Sequence, residues 1–410
     1  MALFSLFVSF FFFNNFFVLF LMFFFFIFSI FLNFFWSGLF FFFDSFNYFI
    51  ISFMSVLIMG FIMVSENNKA LIFYSNLVVF FSFCFFFSGS IFFLYVFYEL
   101  TMVPIIFSLL GYGMQVEKTS ASYYLVFYTL FFSFPFLFVF SQVNYFFNFV
   151  YYDFFISFEL TFFLVFCFLV KFPIYFVHVW LPKAHVEAPT SVSMILAGVM
   201  LKLGGVGVFR INSLINFFNL EIWIFLSFIS MVFCSFICSM QSDMKSLAAY
   251  SSICHMGFVF LSEVSMLYYG KSMSLLMMLS HGYVSVMMFY LIGEFFHVSG
   301  NRLIYYMRGC FNVNVIFSLF FCLVFMFNFS FPFTISFFSE YFLLNYFSGL
   351  FIFSLFFLLL YYLVSFYYSI FMIVYFLTGK IFFSFFDGHF YFVIVLIFLS
   401  YNFLFLFCVI

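Results

Sequence analysis

Four charged residues lie in the middle of apolar stretches that are long enough to cross a membrane. They are Glu99, Lys171, Lys202 and Glu340. A charge at the centre of a bilayer costs roughly 2.5–3.5 kcal/mol even on a lenient insertion scale. Because phenylalanine would fill these positions without that cost, we infer that the charges are used. The chemistry that such residues serve is the movement of protons or other ions through the membrane.

Acids and bases that are buried near one another can exchange protons. If Glu99 lies close to Lys171, the two groups titrate as a unit, so that moving one charge loads or unloads a proton on the other. His255 and His281 also lie inside predicted spans, between Lys202 and Glu340 in the chain, and small or hydroxylated residues that can support water lie close to both in the sequence. Imidazole takes up and releases protons near neutral pH, so the order fits a proton relay.

Each of these residues also has a structural interpretation. Lys202 can extend its amine toward the surface near Arg210, Glu99 can tie two helices together as a neutral acid, and Glu340 can cap a local helix break. Both histidines can be packing residues. His178 and His185 are predicted to lie at the membrane surface.

No cofactor site is predicted in this chain. The eight cysteines form no Cys-x-x-Cys pair, and there is no glycine-rich phosphate loop and no Ser/His/Asp arrangement. A haem would need matched histidine pairs on two helices, whereas His255 and His281 stand singly on theirs.

The composition places almost the whole chain in lipid. Of 410 residues, 69% are hydrophobic and 6% are charged, against about 25% charged residues in average soluble chains. This leaves too little polar surface for a separate water-soluble catalytic domain. A net charge of −2 argues against nucleic acid as a partner.

The predicted fold is an all-α, polytopic transmembrane helical bundle. About 20 apolar residues cross the hydrocarbon core as a helix, and cutting the chain at charges, Gly, Pro and Asn predicts about thirteen spans. They cover residues 4–32, 46–65, 70–88, 91–110, 121–141, 155–177, 188–208, 219–240, 244–264, 271–296, 312–345, 349–378 and 390–410. The apolar N-terminus has no basic segment and no cleavage site, so it is predicted to be a first helix rather than a signal peptide.

Positive charges are distributed unevenly between the two sides of this bundle. The connections on one side carry only Arg210 and Lys271. The other side, called the first side here, carries seven basic residues: Lys69, Lys118, Lys183, Lys245, Arg302, Arg308 and Lys380. By the positive-inside rule the first side, called the basic surface below, faces the cytoplasm, or the matrix if the protein is mitochondrial.

The spans also show an internal order. Residues 1–69 form N-terminal helices, 70–210 a first five-helix repeat, 211–379 a second repeat and 380–410 a C-terminal helix. Because five is odd, the second repeat enters the membrane inverted. The fourth helix of each repeat contains a proline, Pro173 or Pro332, and broken helices at matching places in inverted repeats are typical of a transport site.

Long motifs surround the embedded charges. The longest runs from Lys171 to Pro189 and reads KFPIYFVHVWLPKAHVEAP. The others are LKLGGVG from Leu201, YELTMVP from Tyr98, GYGMQVE from Gly111, FYTL from Phe127, DMKSLAAYSSICH ending at His255, and the pair Ser339 and Glu340. From about residue 45 to about residue 380 the chain resembles the antiporter-like membrane subunits of respiratory complex I. It departs from that family by one predicted helix fewer at the N-terminus, which would put the N-terminus on the matrix side.

The resemblance implies a proton path at mid-membrane. In it, Glu99 and Lys171 form a coupling pair, Lys202 is the central relay, His255 and His281 continue the path, and Glu340 is the terminal carrier. It implies a multi-pass protein of the mitochondrial inner membrane, whose partners are lipids and other complex I membrane subunits, especially antiporter-like ones. NADH, flavin, iron–sulfur clusters and ubiquinone would belong to partner subunits.

Two other functions stay open at this point. A free-standing cation/proton antiporter could be built from the same fold, and it would exchange ions without a redox partner. A membrane scaffold would use the embedded charges only to lock helices together. A haem- or quinone-binding redox subunit is a weaker third.

Overall fold

The computed structural model describes residues 65–142, 158–212, 220–265, 268–309, 314–350 and 352–379, together with 36–37, 42–43, 54–55, 58–63, 395 and 399. Across these residues the chain is almost wholly helical, apart from an antiparallel pair of two-residue strands, β1 (Trp36–Ser37) and β2 (Phe42–Phe43). Eight helical segments of the described residues are long and apolar enough to cross a membrane, and two of them, Ile91–Tyr112 and Thr190–Ile211, each combine consecutive shorter helices. The chain is a multi-pass membrane protein, as predicted. The predicted span 4–32 and most of the C-terminal segment 380–410 lie outside the described residues.

The first half of the described chain contains eight α-helices and one π-helical turn. The helices are α1 (Lys69–Phe86), α2 (Ile91–Leu100), α3 (Met102–Tyr112), α4 (Lys118–Gln142), α5 (Phe158–Lys171), α6 (Trp180–Glu187), α7 (Thr190–Ile195) and α8 (Leu201–Asn212), with the π turn at Leu196–Met200 between the last two. Asn68 and Ser90 cap α1 and α2 by accepting hydrogen bonds from backbone N–H groups of the first turn.

The second half continues in the same way. Its helices are α9 (Leu220–Ser239), α10 (Met244–Val264), α11 (Tyr268–Ser299), α12 (Val315–Asn328), α13 (Ile335–Leu350) and α14 (Ile352–Leu377), with a short 3₁₀ turn at Ile304–Met307. Every span predicted between 70 and 378 contains one of these helices. The total of about thirteen and the two inverted repeats remain predictions.

Two helices are broken next to the prolines that the sequence singles out. Helix α5 ends at Lys171, two residues before Pro173, and α12 ends at Asn328, shortly before Pro332. Proline has no N–H to donate to a preceding turn. The backbone of both breaks also contains left-handed residues, at Phe176 (φ 82°) and Ser330 (φ 60°). Non-helical backbone at membrane depth must be enclosed by protein or line a wet cavity.

The centre of the bundle is formed by α7–α8, α10 and α11. In each of these three segments 94% of the residues in the membrane-length window are buried inside the protein, against 33% in α4 and α14. The central helices are therefore shielded from lipid by the phenylalanine-rich outer ones. Charged side chains on the central helices can therefore contact other polar groups inside the bundle without facing the lipid hydrocarbon.

Several predicted connections of the basic surface meet in space. Arg302 donates a hydrogen bond to the carbonyl of Val186, and the Lys245 amine donates to the carbonyl of Ala188 at 2.9 Å. These bonds hold α6 against the ends of α10 and α11.

Candidate functional site

Lys171 is the last residue of α5 and lies at the helix break. Its side chain is wholly buried. The amine donates to the backbone carbonyl of Tyr98, lies 3.1 Å from the Thr101 hydroxyl and sits 3.3 Å from the centroid of the Tyr98 ring. A cation is favoured at a helix C-terminus, where carbonyls are left unpaired, and over an aromatic face.

The tight packing around this break depends on glycine. A Cβ on Gly204 would lie 2.6 Å from the backbone nitrogen of Phe172. Only glycine lets α8 approach the backbone that follows Lys171 so closely. The glycine-rich motif that follows Lys202 therefore positions the break.

Glu99 is a neighbour of Lys171, as the resemblance implies. The carboxylate is half-buried on α2, and its charge and that of Lys171 act on each other. Among the described residues the two groups form no ion pair within 4 Å, because the amine is turned to the carbonyl and hydroxyl on either side of Glu99. One carboxylate oxygen of Glu99 is buried without a hydrogen bond in the described part of the chain.

Lys202 lies immediately after the π turn and is wholly buried. Its amine donates to the carbonyl of Ala197 at 2.7 Å and lies 2.9 Å from Nδ1 of His281. It does not extend toward Arg210, whose guanidinium instead donates to the carbonyls of Phe86 and Ser88. The alternative in which Lys202 reaches for the surface is therefore wrong.

A small residue next to His281 allows close packing of α11 beside Lys202. A Cβ on Gly282 would lie 2.2 Å from the sulfur of Met54 and 3.4 Å from Cε of Lys202. The glycine next to His281 therefore leaves room for the Met54 side chain, while Lys202 lies at an ordinary contact distance.

The two predicted histidines, His281 and His255, lie next to each other beyond Lys202. The ring centroids of His281 and His255 are 5.6 Å apart. Nε2 of His255 lies 3.2 Å from the side-chain oxygen of Asn328, and Nδ1 lies 3.5 Å from the Tyr361 hydroxyl. The ring thus bridges α10, the end of α12 and α14.

Glu340 lies next to His255, on the side away from His281 in this sequence of contacts. Its side chain is buried on α13, and one carboxylate oxygen lies 4.0 Å from Nδ1 of His255 and accepts a hydrogen bond of 2.6 Å from the Ser330 hydroxyl. Ser330 belongs to the second helix break, and its left-handed backbone stands between α12 and α13. The break therefore supplies a polar partner to the acid at membrane depth.

The structure brings the predicted residues together in two groups. Glu99 and Lys171 form the first, at the α2–α5 contact. Four residues form the second, called the relay row below: Lys202, His281, His255 and Glu340. Within the described residues no direct hydrogen bond joins Lys171 to Lys202.

Sequence reasoning missed the neutral partners of these groups. Thr101, Asn328 and Tyr361 are common polar residues with no distinguishing pattern in the sequence. Glu263, wholly buried near the end of α10, did carry a signal, because it is an acid inside a predicted span.

The two histidines of the α5–α7 connection are buried inside the protein, and their position at the membrane surface stays a prediction. His178 is 7% exposed and His185 is 0% exposed. Helix α6, which carries His185, packs against α10, and His178 precedes its first residue. Among the described residues, no group of three or more His, Cys, Asp or Glu side chains is arranged to hold a metal ion.

The sequence from residue 88 to residue 369 matches the family described as NADH:quinone oxidoreductase/Mrp antiporter, transmembrane. The chain belongs to this family. The matched range contains both groups of buried residues, including both helix breaks.

Relatives and solved structures agree with that assignment. The chain is 43% identical over 257 residues to NADH-ubiquinone oxidoreductase chain 4 of Ascaris suum, covering 63% of each chain. It is 45% identical over 252 residues to the protein of the same name from Caenorhabditis elegans, covering 62% of each. The matched segments thus span somewhat less than two thirds of these relatives.

Among solved structures, the chain resembles one in respiratory complex I from Thermus thermophilus with bound NADH. The TM-score is 0.84 at 18% identity, covering 94% of this chain and 89% of that one. It also resembles a chain of the Mrp complex from Dietzia sp., with a TM-score of 0.74 at 15% identity, covering 83% of this chain and 67% of that one. At these identities the likeness shows the fold alone.

Proposed function

We propose that this chain moves protons across the inner mitochondrial membrane as a membrane subunit of respiratory complex I. The observation that carries the proposal is the relay row, in which an amine, two imidazoles and a carboxylic acid follow one another inside the bundle. The Lys202 amine lies 2.9 Å from Nδ1 of His281, the two ring centroids are 5.6 Å apart, and Nδ1 of His255 lies 4.0 Å from a carboxylate oxygen of Glu340. Each member can hold or release a proton. Together they link four separate helices, α8, α11, α10 and α13.

The chain itself carries out no redox chemistry in this proposal. NADH, flavin, iron–sulfur clusters and ubiquinone belong to partner subunits, and electron transfer from NADH to ubiquinone there drives proton movement here. The names of the Ascaris and Caenorhabditis relatives and the fold match to a complex I chain support this division. The neighbours are other complex I membrane subunits, especially antiporter-like ones, and lipids.

Glu99 and Lys171 serve as the coupling pair. Lys171 is held by neutral groups, so its charge is balanced largely by Glu99. A displacement of the Glu99 charge changes the proton affinity of Lys171 and, through the field inside the bundle, that of Lys202. The electrostatic step thus occurs at the Glu99–Lys171 pair, and proton transfer occurs along the relay row.

The relay row supplies the transfer path. Lys202 gives its proton to His281 over 2.9 Å, His281 passes one to His255, and Glu340 receives it. Ser330 and Tyr361 keep the last two members oriented. The wet cavity that broken helices favour provides water between ring nitrogens that do not touch. The first repeat, 70–210, would provide Glu99, Lys171, one helix break and Lys202, and the second repeat, 211–379, would provide the other three members of the relay row and the second break.

A free-standing cation/proton antiporter is the second candidate, favoured by the fold match to the Mrp complex. It differs in autonomy, because the purified chain would exchange ions without a redox partner. A scaffold that uses the charges only for assembly is the third candidate.

Proton pumping per NADH oxidised, in reconstituted complex carrying Lys171→Met, tests the proposal. Assembly is checked on the same sample by native electrophoresis. We expect an assembled enzyme with reduced pumping or blocked turnover. The matched control is Lys183→Met, since Lys183 is an exposed lysine that rests on the Tyr124 ring. An assembled Lys171→Met enzyme pumping at the full ratio would favour the scaffold.

A further inference from the structure

His185 is a fully buried histidine that the proposed path does not use. It lies on α6, outside the spans, with 0% of its side chain exposed. Its ring stacks on Phe289 of α11, with centroids 4.5 Å apart and planes at 6°. Neither ring nitrogen has a hydrogen-bond partner in the described part of the chain. A phenylalanine would satisfy the same stacking, so packing alone does not account for the imidazole.

The position of this ring is intermediate between the basic surface and the relay row. On the outer side, Lys245 and Arg302 fasten the residues directly after His185 to the ends of α10 and α11. On the inner side, His281 lies within electrostatic range of His185, as it does of Lys202 and His255.

The remaining gap can be measured along α11. Phe289, on which the ring stacks, follows His281 by eight residues, which corresponds to about 12 Å of helix. A short file of water molecules would be needed to bridge a distance of that length.

The charge state of His185 suits proton transfer. Burial, reinforced by the positive charge of Lys245, lowers the pKa of His185 to about 3. The ring is therefore neutral at neutral pH, with one nitrogen that donates and one that accepts. Both nitrogens are available, because neither is committed to a protein partner among the described residues.

We propose that His185 passes protons from water at the basic surface to the His281–Lys202 pair. A proton from water binds the accepting nitrogen as the proton on the other nitrogen leaves to a water molecule that faces His281. That water reprotonates Lys202 or His281 after the relay row has emptied, and a rotation of the imidazole about its side-chain bonds then turns its protonated nitrogen inward again. One proton crosses the ring in each cycle, and only N–H and O–H bonds form and break. This inference rests on the proposed function and adds its uptake step.

The test compares two buried histidines of the same connection in the assembled complex. His185→Phe keeps the stacking on Phe289 and removes both nitrogens. We expect at least about a 10-fold loss of coupled NADH:ubiquinone turnover, since proton transfer by a positioned side chain contributes about 10²–10⁴-fold. His178→Phe is the matched control, because His178 is also buried and stacks on Tyr175 at 5.1 Å. It is expected to behave as the unmodified enzyme.

Chemical rescue separates a proton carrier from a packing residue. In detergent-solubilised complex, added imidazole should restore turnover to His185→Ala and should not change His178→Ala. Loss without rescue would assign His185 a packing role and overturn the inference. If His185→Phe fails to assemble, His185→Gln takes its place, because glutamine keeps hydrogen bonding and cannot take up a proton.

The outcomes distinguish this inference from the function on which it rests. Full turnover and pumping in His185→Phe, with both lost in Lys202→Met, would overturn the uptake role alone. Full pumping in Lys202→Met would overturn the proposed function itself.

Discussion

The two buried lysines occupy very different surroundings. Lys171 is held by a backbone carbonyl, a hydroxyl and an aromatic face, none of which exchanges protons near neutral pH. Lys202 lies 2.9 Å from a histidine that leads to a second histidine and an acid. The surroundings of Lys171 therefore stabilise its positive charge, whereas those of Lys202 include a group that can accept its proton.

Under the proposed function, this difference places the two lysines in different parts of the mechanism. A group without a titratable contact can act on the rest of the bundle only through its field. Its acid neighbour Glu99 is close enough to influence it and too far to form an ion pair within 4 Å. We therefore expect the relay row to be sensitive to loss of any titrating group, and the Lys171 site to be sensitive to loss of charge but tolerant of changes in its neutral partners.

The largest effect is expected for Lys202→Met. Methionine has a similar length, so it removes the proton carrier without leaving a void. Coupled turnover and pumping should fall by about 100-fold or more, within the range for a lost acid–base group. The measurement is NADH-driven proton uptake in vesicles, with assembly checked on the same sample. An assembled, normally pumping enzyme would remove Lys202 from the path.

A smaller loss is expected for His281→Phe. The change removes the acceptor next to Lys202, but water in the freed space can replace part of the link. We expect about a 10- to 100-fold slower coupled turnover, with a larger solvent deuterium isotope effect because transfer through water becomes limiting. An unchanged rate and isotope effect would show that protons bypass this ring.

Ser330→Ala should have a modest effect. It removes the 2.6 Å hydrogen bond to Glu340, and a hydrogen bond to a charged group contributes about 1.5–3 kcal/mol. Part of this is recovered by water at the helix break, so we expect about a 3- to 10-fold change in turnover. The pH profile of turnover should shift with it. A loss of assembly with an unshifted profile in the assembled fraction would make Ser330 a purely structural residue.

Thr101→Val should have the smallest effect. Valine matches threonine in shape and removes the hydroxyl 3.1 Å from the Lys171 amine, while the carbonyl of Tyr98 remains. We expect less than about a 2-fold change in turnover and pumping. A loss as large as that of His281→Phe would erase the distinction between the two lysine sites.

Much of the fold and the charged part of the site could be predicted from the sequence. Apolar runs of membrane length predicted the helices between 70 and 378, and two prolines predicted the breaks that follow Lys171 and Asn328. The cost of burying charge in lipid selected Glu99, Lys171, Lys202 and Glu340.

What the sequence could not predict depends on tertiary packing. The π turn before Lys202 has no marker in Leu196–Met200, which is an ordinary apolar segment. Asn328 and Tyr361 acquire their role only because α12 and α14 meet α10 at His255. The burial of His185 could not be predicted either, because it results from the packing of α6 against α10.

The central claim is that protons travel the full length of the relay row to Glu340. The most direct test is the number of protons pumped per NADH oxidised by assembled complex carrying Glu340→Gln. Glutamine has nearly the same shape and can still accept the hydrogen bond from Ser330, so the fold should be retained. The account predicts an assembled enzyme that loses most of its turnover or pumps fewer protons per NADH. An assembled enzyme that turns over and pumps at the unmodified ratio would contradict it.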